Sequence, residues 1–197
     1  MKKLLVVLVT IFSLFTLNVK AEAIELPEKT DHEIVKLYIF YGNECSHCHE
    51  FMDYFINNYK DEYKDYFEIV AMETWKNKDN NAFALEMKER FSISDEQYGV
   101  PFIIIGDYYK CGFSKASGLA VINEALKQYQ NEDYEDIVAK EKESTKNNVV
   151  TETLREAAVT SGVAKKEGTT SDAIVIGIIF AVVIAGLGGL VYLSRKK

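Results

Sequence analysis

Cys45, Ser46, His47 and Cys48 place two thiols three residues apart in a chain with one other cysteine, Cys111. A disulfide across so short a loop constrains the unfolded chain little, so a purely structural bridge is the weaker reading. Reversible dithiol–disulfide exchange suits the spacing better. The turn precedes a helical pattern, and a helix N-terminus offers unpaired N–H groups and a dipole that favour an anion. Cys45 is therefore expected to have a depressed pKa and to be the attacking thiolate. Cys48, one turn inside on the apolar face with Phe51 and Phe55, would resolve the mixed disulfide. His47 can bring positive charge or an N–H donor to the Cys45 sulfur, which would stabilise the reduced form and make the pair a stronger oxidant.

The elements that must hold this turn are legible on either side. Residues 34–41 (IVKLYIFY) are a near-continuous apolar, β-branched run, as a buried strand would be, and Gly42-Asn43 break it. Cys48, Phe51, Met52, Phe55, Ile56 and Tyr59 then recur at helical spacing. Residues 67–72 read as a second strand and 80–91 as a second helix. Residues 101–105 and 108–113 read as a hairpin turned at Gly106-Asp107. Leu119, Ile122, Leu126 and Tyr129 mark a last helix running on towards Ile137. The order β-α-β-α-β-β-α predicts an α/β fold: a four-stranded mixed sheet with helices on both faces, its first two strands parallel.

Two other chemistries fit some of the same residues. Cys45 to His49 satisfies the Cys-x-x-Cys-His pattern of covalent haem attachment, with Met52, Met72 or Met87 as the candidate distal ligand. Cys45, Cys48, His49 and Cys111 are soft ligands for copper or zinc, although they lack the paired spacing of a structural zinc site. Exchange remains the preferred reading, and it requires neither cofactor nor metal. Cys111 reads as a buried free thiol within the hairpin, His32 as surface, and Trp75 as packing after the second strand.

With Cys45-Ser46-His47-Cys48 after the first strand and Gly99-Val100-Pro101 before the third, the chain resembles the thioredoxin superfamily. The match covers roughly residues 33–130. The resemblance implies a thioredoxin-like fold, a cis Pro101 facing the cysteines, and a Val100 backbone that pairs with the substrate chain. Its Cys-x-His-Cys form is similar to the protein disulfide isomerase and DsbA-like domains, which implies oxidase or isomerase activity over reductase. Two departures stand out. Only about thirty residues separate Met72 from Pro101, so no helical insertion of the DsbA kind fits. The family's buried carboxylate, six residues before the nucleophile, falls on Ile39, with no acid from Leu37 to Tyr41.

The chain ends predict where this happens. Met1-Lys2-Lys3, an apolar run over residues 4–17, and small residues at Ala21 and Ala23 read as a signal peptide over 1–23. Residues 173–193 carry no charge and at about 1.5 Å per residue reach roughly 31 Å, enough to span a bilayer. The basic tail 194–197 predicts a cytoplasmic C-terminus and an extracytoplasmic domain. No Asn-x-Ser/Thr sequon occurs, which favours a bacterial cell membrane. Residues 24–143 hold 13 Lys and Arg against 25 Asp and Glu, a net charge of −12 that argues against nucleic acid as a partner. Residues 144–172 turn polar and lack aromatics, the composition of a flexible linker, with a weak amphipathic pattern over 149–159. The partners implied are exported cysteine-containing proteins and a membrane redox protein that resets the pair.

Overall fold

The computed structural model describes residues 24–30 and 33–165. The expected signal peptide, transmembrane segment, basic tail and His32 lie outside the described residues, among which no helix is long and apolar enough to cross a membrane.

Val35–Tyr41 (β1) is the centre of the sheet, and its burial on both faces explains its apolar run. Only Lys36 breaks that pattern. Phe67–Glu73 (β2) pairs with β1 in parallel, and a parallel pair needs a crossover. Ser46–Asn58 (α1) provides it. Phe102–Ile105 (β3) runs antiparallel on the other side of β1, followed by Tyr108–Cys111 (β4). Gly106 sits in the β3–β4 turn at φ +57°, the left-handed region that tight hairpins demand.

Helices cover both faces. Leu37, Ile39 and Tyr41 point to one side, where they share a core with Cys48, Phe51 and Phe55 of α1 and with Val121, Ile122 and Ala125 of Gly118–Tyr129 (α3). Tyr38 and Phe40 point to the other, against Phe83, Ala84 and Met87 of Lys78–Arg90 (α2) and Val138 of Ile137–Ser144 (α4). The chain leaves α3 at Tyr129 and restarts at the Asp136 cap, so the helix expected to run on towards Ile137 is two helices.

The main difference from expectation lies after Ser144. The sheet has five strands, not four, in the order β4-β3-β1-β2-β5. Glu152–Thr153 (β5) adds antiparallel to β2, and Leu154–Thr160 (α5) follows it with Leu154, Ala157 and Ala158 buried. The side-chain amide of Asn80, itself buried, both donates to the Val150 carbonyl and accepts its N–H, each at 2.9 Å. The first two thirds or so of the expected linker is thus part of the folded unit, held by partners too distant in sequence for its composition to reveal.

Candidate active site

β1 ends at Tyr41, and the next four residues build the turn. Gly42 is covered by the Trp75 ring: a Cβ there would come within 2.2 Å of Trp75 Cδ2, so only glycine fits. Its carbonyl accepts the Cys45 N–H at 3.0 Å. Asn43 is tied on three sides. Its N–H donates to Glu73 Oε1 (3.3 Å), its carbonyl lies 2.7 Å from His49 Nε2, and its Oδ1 accepts the Ser161 hydroxyl at 2.8 Å. Ser161 follows α5, so the C-terminal segment reaches back to the loop before the cysteines.

Cys45 is the N-cap of α1, in extended conformation at φ −81°, ψ 116°. Its Sγ accepts the Cys48 backbone N–H at 3.2 Å, filling the role that a Ser or Asp oxygen fills at other helix starts. No carboxylate stands in the first turn of α1 to oppose negative charge there. Cys45 and Cys48 are disulfide-bonded, with Cα atoms 5.2 Å apart. Cys45 retains 7% exposure and Cys48 none, so Cys45 is the sulfur that an incoming chain meets. The Val100–Pro101 peptide bond is cis, Pro101 is buried, and the Val100 carbonyl oxygen lies 3.6 Å from Cys45 Sγ. The structure thus gathers Cys45, Cys48, Val100 and Pro101 at one end of β1 and β3.

No protein-family model, curated protein or solved structure matches the chain.

His47 makes no hydrogen bond to the sulfur. Its side chain is 65% exposed and its Nδ1 sits 3.8 Å from Glu50 Oε2, one helical turn on, while Cys45 takes its donor from the backbone. The other ligand sets are dispersed. His49 Nε2 is engaged by the Asn43 carbonyl. Met52, Met72 and Met87 are fully buried, the last two across the sheet from the cysteines. Cys111 also packs on that far side, half-buried, and burial pushes its thiol pKa up. Among the described residues, no three His, Cys, Asp or Glu side chains converge to hold a metal ion.

Ile39 is buried where the resemblance implies an acid. In the sheet register Ile39 faces Ala71, and Ala71 faces Glu152 of β5. The Glu152 carboxylate accepts the hydroxyl of buried Tyr41 at 2.6 Å. Burial pushes the Glu152 carboxyl above its ordinary value against the opposing pull of that hydrogen bond, with Glu156 and Glu73 adding repulsion. Burial first, then Glu152, raises the Tyr41 phenol.

Sequence reasoning missed Glu73, Glu152 and Ser161. Glu73 accepts the N–H groups of Trp75 (3.0 Å), Lys76 (2.7 Å) and Asn77 (2.9 Å) as well as that of Asn43, joining the loops after β1 and β2. Trp75, read as packing, is 56% exposed. Gly42 was the available signal: a glycine directly after a buried strand marks close approach by something large.

Proposed function

We propose that this chain is a thioredoxin-like thiol–disulfide oxidoreductase that acts through the Cys45–Cys48 couple. The observation that carries the reading is the placement of Cys45 Sγ: it caps a helix, accepts a backbone N–H and faces the Val100 carbonyl beside cis Pro101. Helix dipole and donor both act on a thiolate there, and the more exposed sulfur is the one they activate. Strand order and the position of the cysteines after β1 support the thioredoxin-like assignment.

In the oxidising direction a substrate thiolate attacks Cys45 Sγ and the Cys45–Cys48 bond breaks. The electron pair leaves on Cys48, which takes up a proton. A second substrate thiolate then attacks the substrate sulfur of the mixed disulfide. Cys45 departs as a thiolate and the substrate keeps the new disulfide. The protein gains two electrons and the substrate loses two; a disulfide-bearing membrane partner would remove them. We favour oxidase or isomerase over reductase because the donor on Cys45 Sγ stabilises the reduced form. The apolar runs over residues 4–17 and 173–193 support a reading in which this chemistry acts outside the cytoplasm, on exported proteins.

Two measurements test the reading. Cys48→Ser should trap mixed disulfides on Cys45, formed when the Cys45 thiolate attacks a substrate disulfide in the reverse step and no Cys48 thiol remains to release it, whereas Cys45→Ser should trap none. Trapping in the reverse pattern would exchange the two roles, and trapping in neither would remove the activity. A reduction potential near the roughly −270 mV of thioredoxin would reverse the proposed direction.

A further inference from the structure

Trp75 is the chain's single tryptophan and the most exposed large aromatic among the described residues. Its mounting is nonetheless rigid. The ring lies face-on against the Gly42 backbone, with Cδ2, Cε2 and Cε3 all closer to a Cβ built there than a real side chain would allow. The Trp75 backbone N–H is held by Glu73, which also holds the backbone N–H groups of the two residues that follow. Gly42 in turn accepts the Cys45 N–H, so one tight turn of backbone joins the surface under the indole to the reactive sulfur. The flanking charges Glu44 and Lys76 are paired with each other at 3.3 Å. A fixed, half-open aromatic ring is suited to an apolar ligand.

We propose that Trp75 is a substrate-binding residue whose open face receives an aromatic or aliphatic side chain next to the substrate cysteine. The inference rests on the exchange activity proposed above. Any chain joined to Cys45 through a disulfide must cross the rim where that sulfur emerges. Neighbouring residues of an extended segment reach about 3.3 Å further each, and the ring sits on Gly42, whose carbonyl holds the Cys45 N–H, so residues beside the substrate cysteine pass close to the indole. The site would thus select among exposed cysteines, taking those in apolar segments that are still unfolded.

The experiment uses the oxidised protein and two reduced peptides that differ in one residue beside their single cysteine, Phe in one and Ser in the other. The second-order rate of exchange should favour the Phe peptide by about two- to ten-fold, the scale of one aromatic pair. Trp75→Ala should bring the ratio of the two rates close to one, and Trp75→Phe should restore most of it. An unchanged ratio in Trp75→Ala overturns the subsite while leaving the oxidoreductase standing. So does a fall in both rates by the same factor, which would make Trp75 a support for the loop. Exchange with neither peptide in the unmutated protein would remove the activity and the subsite together.

Discussion

At Cys45 the helix cap and the nucleophile are one side chain, so the charge formed on reduction is met by a backbone donor already in place. His47 is an exposed neighbour of Glu50, and exposed charges act weakly through water. His47→Ala should therefore make the couple more reducing by only about 20 mV or less, the equivalent of ~1 kcal/mol for two electrons. A larger drop would mean that the ring turns to the thiolate once the disulfide opens. Glu152 gives a second prediction. Its carboxyl holds a proton more tightly in the fold than in the unfolded chain because burial penalises its charge. That contribution favours the fold at acid pH and is lost as pH rises through the raised value. Glu152→Gln keeps an acceptor for the Tyr41 hydroxyl and cannot ionise. The variant should melt with the unmutated protein at about pH 3.5 to 4 and above it near pH 7.5. A gap that is constant with pH, or reversed in sign, would show that the charge is not opposed by the fold. Glu152→Ala, by contrast, removes the carboxylate that accepts the Tyr41 hydroxyl and should cost about 1–3 kcal/mol at acid pH, and less as pH rises and the opposed charge is removed with it.

The segment after Ser144 does an element's work without an element's sequence. A chain ending at Ser144 would leave the Asn80 amide and the Tyr41 hydroxyl without their partners, open the β2 edge and uncover the side of α1 against which α5 packs. Each unpaired polar group costs about 1–3 kcal/mol and the lost Leu154 burial about 1.5–3 kcal/mol. Urea unfolding of residues 24–144 should thus show a stability about 4 kcal/mol or more below that of residues 24–165; equal stabilities would return the segment to a spacer. What could be read in advance and what could not divides along this line. β1, β2 and α1 announce themselves because each carries a local period that matches its burial, and Cys45, Cys48 and Pro101 because their types and positions speak alone. β5 is two residues long, too short for alternation to register. Its anchors are Tyr41, 111 residues away, and Asn80, 70 residues from Val150, which no window along the chain can connect. Trp75 was read as packing and does pack, but its partner is the Gly42 backbone, which hydrophobic periodicity does not register.

At the scale of the molecule, the path of the C-terminal segment sets where the disulfide can be. α5 returns the chain to the active-site loop, and Ser161 bonds to Asn43 two residues before Cys45. The apolar run 173–193, outside the described residues, starts twelve residues later. Whatever conformation those residues adopt, twelve steps span at most about 40 Å at ~3.3–3.6 Å each. If the run anchors the protein, as its length and the basic tail imply, Ser161 and the loop it holds cannot move further than that from the bilayer. The net charge of −12 over residues 24–143 meanwhile opposes adsorption to anionic lipid, so the anchor and not the surface should govern the distance. Protein carrying Cys48→Ser and Cys111→Ser, labelled on Cys45 with a fluorescent donor, can be placed in vesicles with acceptor-labelled lipids. Energy transfer should be strong, and it should fall when forty Gly and Ser residues are inserted after Lys166. External protease should release the donor while the C-terminal tail stays protected inside. Strong transfer that survives the insertion would mean that the domain lies on the lipid by its own surface. Absence of transfer in both proteins would remove the anchor.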